Sequence, residues 1–124
     1  GGAFLVAVDA NHETLLGCVG LRRCQSRDTR IREGRAAHQA FEIHRLAVAT
    51  ESRGRGVGKS LLASLDTLVV DEIGESESYN MMATTPAILV AANHLYLSCG
   101  FELVKEETFG KLTIDTYSRL KKCH

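Results

Sequence analysis

The run Ala40–Ala49, AFEIHRLAVA, is apolar at most positions, and it leads into Arg53-Gly54-Arg55-Gly56-Val57-Gly58. Nothing else in the chain constrains the fold as tightly. A mostly apolar strand needs cover on both faces. From Gly58 to Ile73 the apolar residues Leu61, Leu62, Leu65, Leu68, Val69 and Ile73 recur at spacings of three and four. That spacing predicts an amphipathic helix, stopped by Gly74. The unit is therefore a buried strand, a glycine-rich turn and a helix.

Around this unit the remaining runs fall into place. AFLVAVDA (3–10) and TLLGCVGLRRC (14–24) flank the turn residues DANHE (9–13) and predict a hairpin. Residues 25–38 are polar, rich in arginine and broken by Gly34, and read as a loop. YNMMATT (79–85) predicts a short strand. Thr85 then suits a helix cap with Pro86 at the first helical position, the helix running to Cys99 and ending at Gly100. FELVKEE and LTIDTYSRL close the chain as two more strands. The order β-β-β-α-β-α-β-β predicts an α+β (mixed α/β) fold, a mixed sheet with helices packed on it. At 124 residues there is room for a single domain over 1–124.

Charge and cysteine content narrow the function. The 15 basic and 15 acidic residues cancel, against the basic excess of a nucleic-acid binder. Six arginines (22, 23, 27, 30, 32 and 35) nevertheless cluster, either as a solvated loop or as a site for an acidic substrate or a coenzyme phosphate. Cys18, Cys24, Cys99 and Cys123 show neither C-x-x-C spacing nor clustering with the five histidines. They read as reduced thiols of a cytoplasmic protein without a metal site. No apolar run reaches the ~20 residues of a membrane span, and no signal peptide is present. The chain opens on Gly1-Gly2 without Met, as a trimmed domain does.

The glycine-rich turn suggests a phosphate cradle, and Gly58-Lys59-Ser60 matches the end of an ATP-binding P-loop. The full motif G-x-x-x-x-G-K-[ST] requires glycine five positions before Gly58, where Arg53 stands. No apolar strand ending in Asp follows to hold magnesium. G-x-G-x-x-G fails too, because Gly54, Gly56 and Gly58 are evenly spaced. An ATP site is thus the remote alternative. What survives is Arg53-x-x-Gly56-x-Gly58. Glycines let backbone N–H groups approach an anion, and a helix N-terminus near Val57 adds roughly half a positive charge. Arg53, Arg55 and Lys59 can neutralise phosphates, with Ser60 on the helix-side edge.

At these residues the chain resembles the GNAT superfamily of N-acetyltransferases, whose acetyl-CoA motif is [QR]-x-x-G-x-[GA]. EIHRLAV resembles that family's fourth strand, and AANHLYLSCGF its late helix, with a Tyr four residues before Gly-Phe. The likeness spans about residues 3 to 120. It implies a central, largely antiparallel mixed sheet flanked by helices. It also implies direct transfer of an acetyl group from acetyl-CoA to an amine, of a small molecule or a peptide, through a ternary complex. Leu46, Ala47 and Val48 would offer backbone hydrogen bonds to the pantetheine arm. A homodimer is compatible with all of this. Members usually carry a strand and one or two helices ahead of the hairpin, walling the acceptor site, and this chain starts at the hairpin. A second departure is Leu89, where the family often has a coenzyme-contacting Asn seven residues before the Tyr; Asn93, one helical turn on, is the substitute.

Acetyl transfer to an amine sets a chemical demand. A lysine-like amine of pKa about 10.4 is neutral in only about one molecule in 2,500 at pH 7, a cost of roughly 4.6 kcal/mol. Alternation along EIHRLAV predicts Glu42, His44, Leu46 and Val48 on one face. In the family, Glu or His at the positions of Glu42 and His44 serves as general base or carries the proton away through water. Histidine has the better intrinsic pKa, about 6.5, while a glutamate near 4.3 needs burial to raise it. Their structural alternatives are a satisfied core histidine and an ion pair to Arg45 or an arginine of the loop. Tyr96 stands where the family places its general acid; its alternative is packing at a helix–strand seam. The competing functional class is a non-catalytic acyl-CoA-binding domain of the same fold.

Overall fold

The computed structural model describes residues 2–11, 13–24 and 39–121. The elements follow in the order β1 (Gly2–Val8), β2 (Leu15–Arg23), β3 (Gln39–Val48), a 3-10 turn (Thr50–Ser52), α1 (Val57–Ile73), β4 (Tyr79–Pro86), α2 (Val90–Ser98), β5 (Glu102–Phe109) and β6 (Leu112–Lys121). This is the expected succession. The predicted loop over 25–38, with Arg27, Arg30, Arg32 and Arg35, lies outside the described residues, as does Cys123. The strands form one six-stranded sheet, β1-β2-β3-β4-β6-β5. Among the described strands only β3 and β4 run parallel, because α1 carries the chain back between them.

Both helices lie on one face of the sheet. From α1, Leu61, Leu62, Leu65 and Val69 are buried, so the three-and-four spacing does face the core. They meet Val19 and Leu21 of β2, Phe41 and Ile43 of β3, and Met81 and Ala83 of β4. On α2, Tyr96 packs its ring on Phe101 and on Tyr117 of β6, at centroid distances of 5.4 and 5.5 Å. Where the helices meet, a Cβ on Gly58 would stand 2.7 Å from Leu95 Cδ2. Glycine there lets α1 begin directly against α2.

The expectation that β3 is buried on both faces holds only from Ala40 to Ile43. Beyond that point the strand is irregular. Cys18 pairs with Ala47 and Gly20 with His44, so three steps along β3 match two along β2. This is a β-bulge, and Arg45 occupies it at φ 55°, a left-handed conformation rare for a side-chain-bearing residue. The extra residue reverses the alternation and corrects the predicted face. Glu42 and His44 share the side away from the helices with Ala47, whereas Leu46 and Val48 turn toward α1. Val48 pairs with Gly17, whose missing Cβ would meet Val57 and Leu61 of α1.

The start of the second helix also differs from expectation. Thr85 is buried and, with Pro86, belongs to β4, pairing with Asp115 and Ile114 of β6. Proline is tolerated because the other side of β4 has no partner at this point, so no N–H is needed there. The helix begins at Val90 with no side-chain cap from Leu89. Asn93 fastens the turn instead, its Nδ2 donating to the carbonyls of Leu89 (2.8 Å) and Pro86 (3.1 Å), while the Tyr117 hydroxyl donates to its Oδ1.

At the far end of the sheet, Asp66 of α1 accepts from the Tyr79 hydroxyl and from Arg119, whose guanidinium also stacks 4.7 Å from the Phe101 ring. The Asp66 and Arg119 side chains are 19% and 15% exposed, so the pair is largely dry. Removing one member of such a pair leaves a charge without compensation. Asp66→Ala is expected to destabilise the fold by about 3 kcal/mol and Tyr79→Phe by about 1 kcal/mol, measured by urea unfolding.

Candidate active site

The bulge sets the geometry of the site. β3 and β4 pair from Gln39/Tyr79 to Ile43/Ala83 and no further. From His44 onward, the side of β3 that faced β4 carries an unpaired backbone edge. A cavity of about 760 Å³ opens along it, bounded by β3, the turn before α1, and the start of α2. That volume falls within the roughly 300–1,000 Å³ of sites that hold extended small molecules.

Of the residues expected to bind a cofactor, Leu46, Ala47, Val48, Arg53, Gly54, Gly56, Val57, Gly58 and Lys59 line the cavity. Arg55, Ser60 and Asn93 do not. Arg55 and Ser60 are exposed beside it. Asn93 is engaged with the carbonyls of the β4–α2 turn and with Tyr117.

Gly54 and Gly56 adopt φ 81° and 79°, and nothing lies within 4 Å of where their Cβ atoms would stand. They serve the backbone turn and keep the space above it open. Gly56 is the N-cap of α1 and supplies no side-chain cap. The first-turn N–H groups of a 17-residue helix thus point toward a bay flanked by Arg53 and Lys59. Arg53 Nε lies 3.4 Å from the Val48 carbonyl, across the cavity mouth. One end of the cavity therefore carries the start of α1 and the cationic side chains of Arg53 and Lys59.

The opposite wall was not anticipated. Ile88, Leu89, Val90, Ala91, Ala92 and Leu95 line it, and Ile88 is 81% exposed. Its signal in the sequence was the unbroken apolar run Ile88–Ala92, which has no polar face for solvent. Leu89, a departure from the family pattern, is part of this wall. Ser52, nearly buried in the 3-10 turn, is a further lining residue.

The expected proton-transfer residues divide between locations. Glu42 is buried on the face away from the helices, and Arg22 grips its Oε1, with Nε at 2.7 Å and Nη2 also in contact. The expected ion pair therefore exists, but with Arg22 of β2. His44 is half-buried on the same face and lies where β3 leaves β4. Tyr96 lies on the helix side, buried between Phe101 and Tyr117, and is not a lining residue. Burial pushes its pKa up to about 12, so it stays protonated at neutral pH. Among the described residues, no group of three or more His, Cys, Asp or Glu could hold a metal ion, and no helix is long and apolar enough to cross a membrane.

A family model for the acetyltransferase (GNAT) domain matches residues 1–103. The chain belongs to the GNAT acetyltransferase family. Solved structures share the fold at low identity. The NatC complex bound to Gag peptide and CoA superimposes with a TM-score of 0.70 and 21% identity, over 93% of this chain and 69% of that one. NAA60 of Arabidopsis thaliana with a bisubstrate analogue gives 0.71 and 18%, over 96% and 75%. Ribosomal-protein-alanine N-acetyltransferase of Brucella melitensis gives 0.68 and 22%, over 95% and 68%. No curated protein matches the chain.

The raised pKa of Tyr96 links stability to alkaline pH. A tyrosine that ionises near 10 when unfolded and near 12 when folded contributes stability fully present below pH 10 and lost as pH rises to 12. The interval corresponds to roughly 2–3 kcal/mol. Tyr96→Phe should therefore flatten the decline of unfolding free energy between pH 9.5 and about 12, measured with denaturant at each pH.

Proposed function

We propose that the domain transfers the acetyl group of acetyl-CoA directly to an amine, within a ternary complex. The observation that carries this reading is the cavity beside the unpaired edge of β3, anion-binding at the α1 end and apolar along α2. Coenzyme A has this composition: a diphosphate at one end of a long arm bearing two amides. The N–H groups of the α1 start, with Arg53 and Lys59, would hold the diphosphate. The backbone edge at Leu46–Val48, which no described strand pairs on the β4 side, offers hydrogen bonds to the amides of the arm, as a partner strand would. Several GNAT structures of this fold were solved with CoA or acetyl-CoA bound.

The two faces of the sheet suit two substrates. The donor occupies the helix side, and an acceptor amine reaches the thioester through the gap between β3 and β4, from the face that carries His44. His44 would take the proton that the amine must lose, directly or through water. Glu42, with Arg22 on its Oε1, is better suited to orienting that face than to accepting a proton. Backbone N–H groups near Leu46 would stabilise charge growing on the thioester oxygen. Tyr96, kept protonated by burial, is the candidate donor to the departing thiolate. A thiolate of pKa about 8.5 leaves readily, so this help is modest.

Release of coenzyme A thiol from acetyl-CoA, measured over a panel of amines and N-terminal peptides, tests the reading. His44→Ala is expected to lower kcat by roughly 10²- to 10⁴-fold with KM for acetyl-CoA unchanged. Gly56→Glu, which fills the anion end with a negative side chain, should abolish acetyl-CoA binding by calorimetry. Binding without accelerated release for any amine would leave a non-catalytic acyl-CoA-binding domain instead.

A further inference from the structure

We infer that Gly20 is a positioning residue for His44, holding the imidazole over β2 and clear of the gap between β3 and β4; this rests on the reading of His44 as proton acceptor. Gly20 stands in the interior of β2, opposite His44 on one side and Phe4 on the other. Its backbone φ is not positive, so the chain path does not require glycine there. Glycine within a strand weakens it and often marks the close approach of another group. Here the approaching group is the imidazole. A Cβ on Gly20 would lie 2.4 Å from His44 Cε1 and 2.8 Å from both Nδ1 and Nε2, and these are its three nearest atoms. The far edge of the ring thus reaches across the groove that the missing side chain leaves.

This placement has a consequence for the reaction. A ring directed toward β2 leaves the mouth of the gap open to an acceptor, with both nitrogens set back from it. Among the described residues, β2 and β3 place on this face Glu42, bound to Arg22, and the Cys18 thiol, whose Sγ lies 3.6 Å from the Arg45 carbonyl. Arg45 in the bulge fixes where His44 leaves the sheet, and Gly20 fixes where its ring comes to rest. A methyl group at position 20 collides only with the end of a side chain, so the strand can persist while the ring moves. The ring would then swing toward the gap and obstruct it.

The test compares Gly20→Ala, His44→Ala and the double variant with the parent protein. Three readouts are used: the His44 Cε1–Hε1 NMR signal, the thermal midpoint, and kcat and KM with acetyl-CoA and the best amine of the panel. Gly20→Ala should displace the His44 signal and lower kcat at least tenfold with KM for acetyl-CoA unchanged. In the His44→Ala background the same substitution should leave kcat unchanged and should not lower the midpoint, because the collision is gone. An unmoved His44 signal, or a loss of kcat that persists in full without the imidazole, overturns the proposal. If His44→Ala alone keeps the parental rate, the proton-acceptor reading fails. A displaced signal and a midpoint cost confined to the His44 background would still uphold the positioning role.

Discussion

One additional residue in β3, accommodated at Arg45 by a left-handed backbone, stands just past the point where β3 and β4 stop pairing. A bulge bends its strand and increases its twist. Here the parallel pair becomes a fork after Ile43 and Ala83. The fork leaves backbone groups of β3 without a strand partner, and those groups form the floor of the cavity. The same residue reverses the alternation, sending Leu46 and Val48 to the helix side and leaving His44 on the other. The cavity and the His44 side chain thereby come to lie on opposite faces of one sheet, beside the same fork.

The rest of the site depends on how closely the two helices meet at that opening. Gly58 brings the first turn of α1 against Leu95. The start of α1 and the apolar wall of α2 consequently bound one cavity. Asn93 and Tyr117 secure the β4–α2 turn, holding Leu89 and Val90 at the cavity edge. Neither polar residue lines the cavity, yet both brace the turn that carries its wall. Polar side chains used this way exchange a possible ligand contact for rigidity in the scaffold.

The element order, the amphipathic face of α1 and the glycine-rich turn ahead of it were legible in the sequence because each rests on local rules. Apolar spacing reports helix faces, and evenly spaced glycines before a helix report a backbone that something must approach. The start of α2 was not legible. Thr85-Pro86 is a sound capping pair by local chemistry, but the pairing of β4 with β6 extends through Pro86 and claims both residues. Strand pairing across the chain outweighed the local preference. The same holds for Asn93, whose helical spacing faces Tyr96 but whose amide is claimed by carbonyls of the preceding turn.

By itself, then, the sequence determined the succession of elements, the core face of α1, and a glycine-rich turn at Arg53–Gly58 ahead of that helix. Those properties follow from spacing and residue type within about twenty positions. Only the tertiary structure decided which side of β3 each residue occupies, that Arg22 is the partner of Glu42, and that Ile88–Ala92 forms a wall. Each depends on register between distant strands. A one-residue shift in register exchanges the faces of every residue beyond it, and no local pattern in β3 announces where the extra residue will sit.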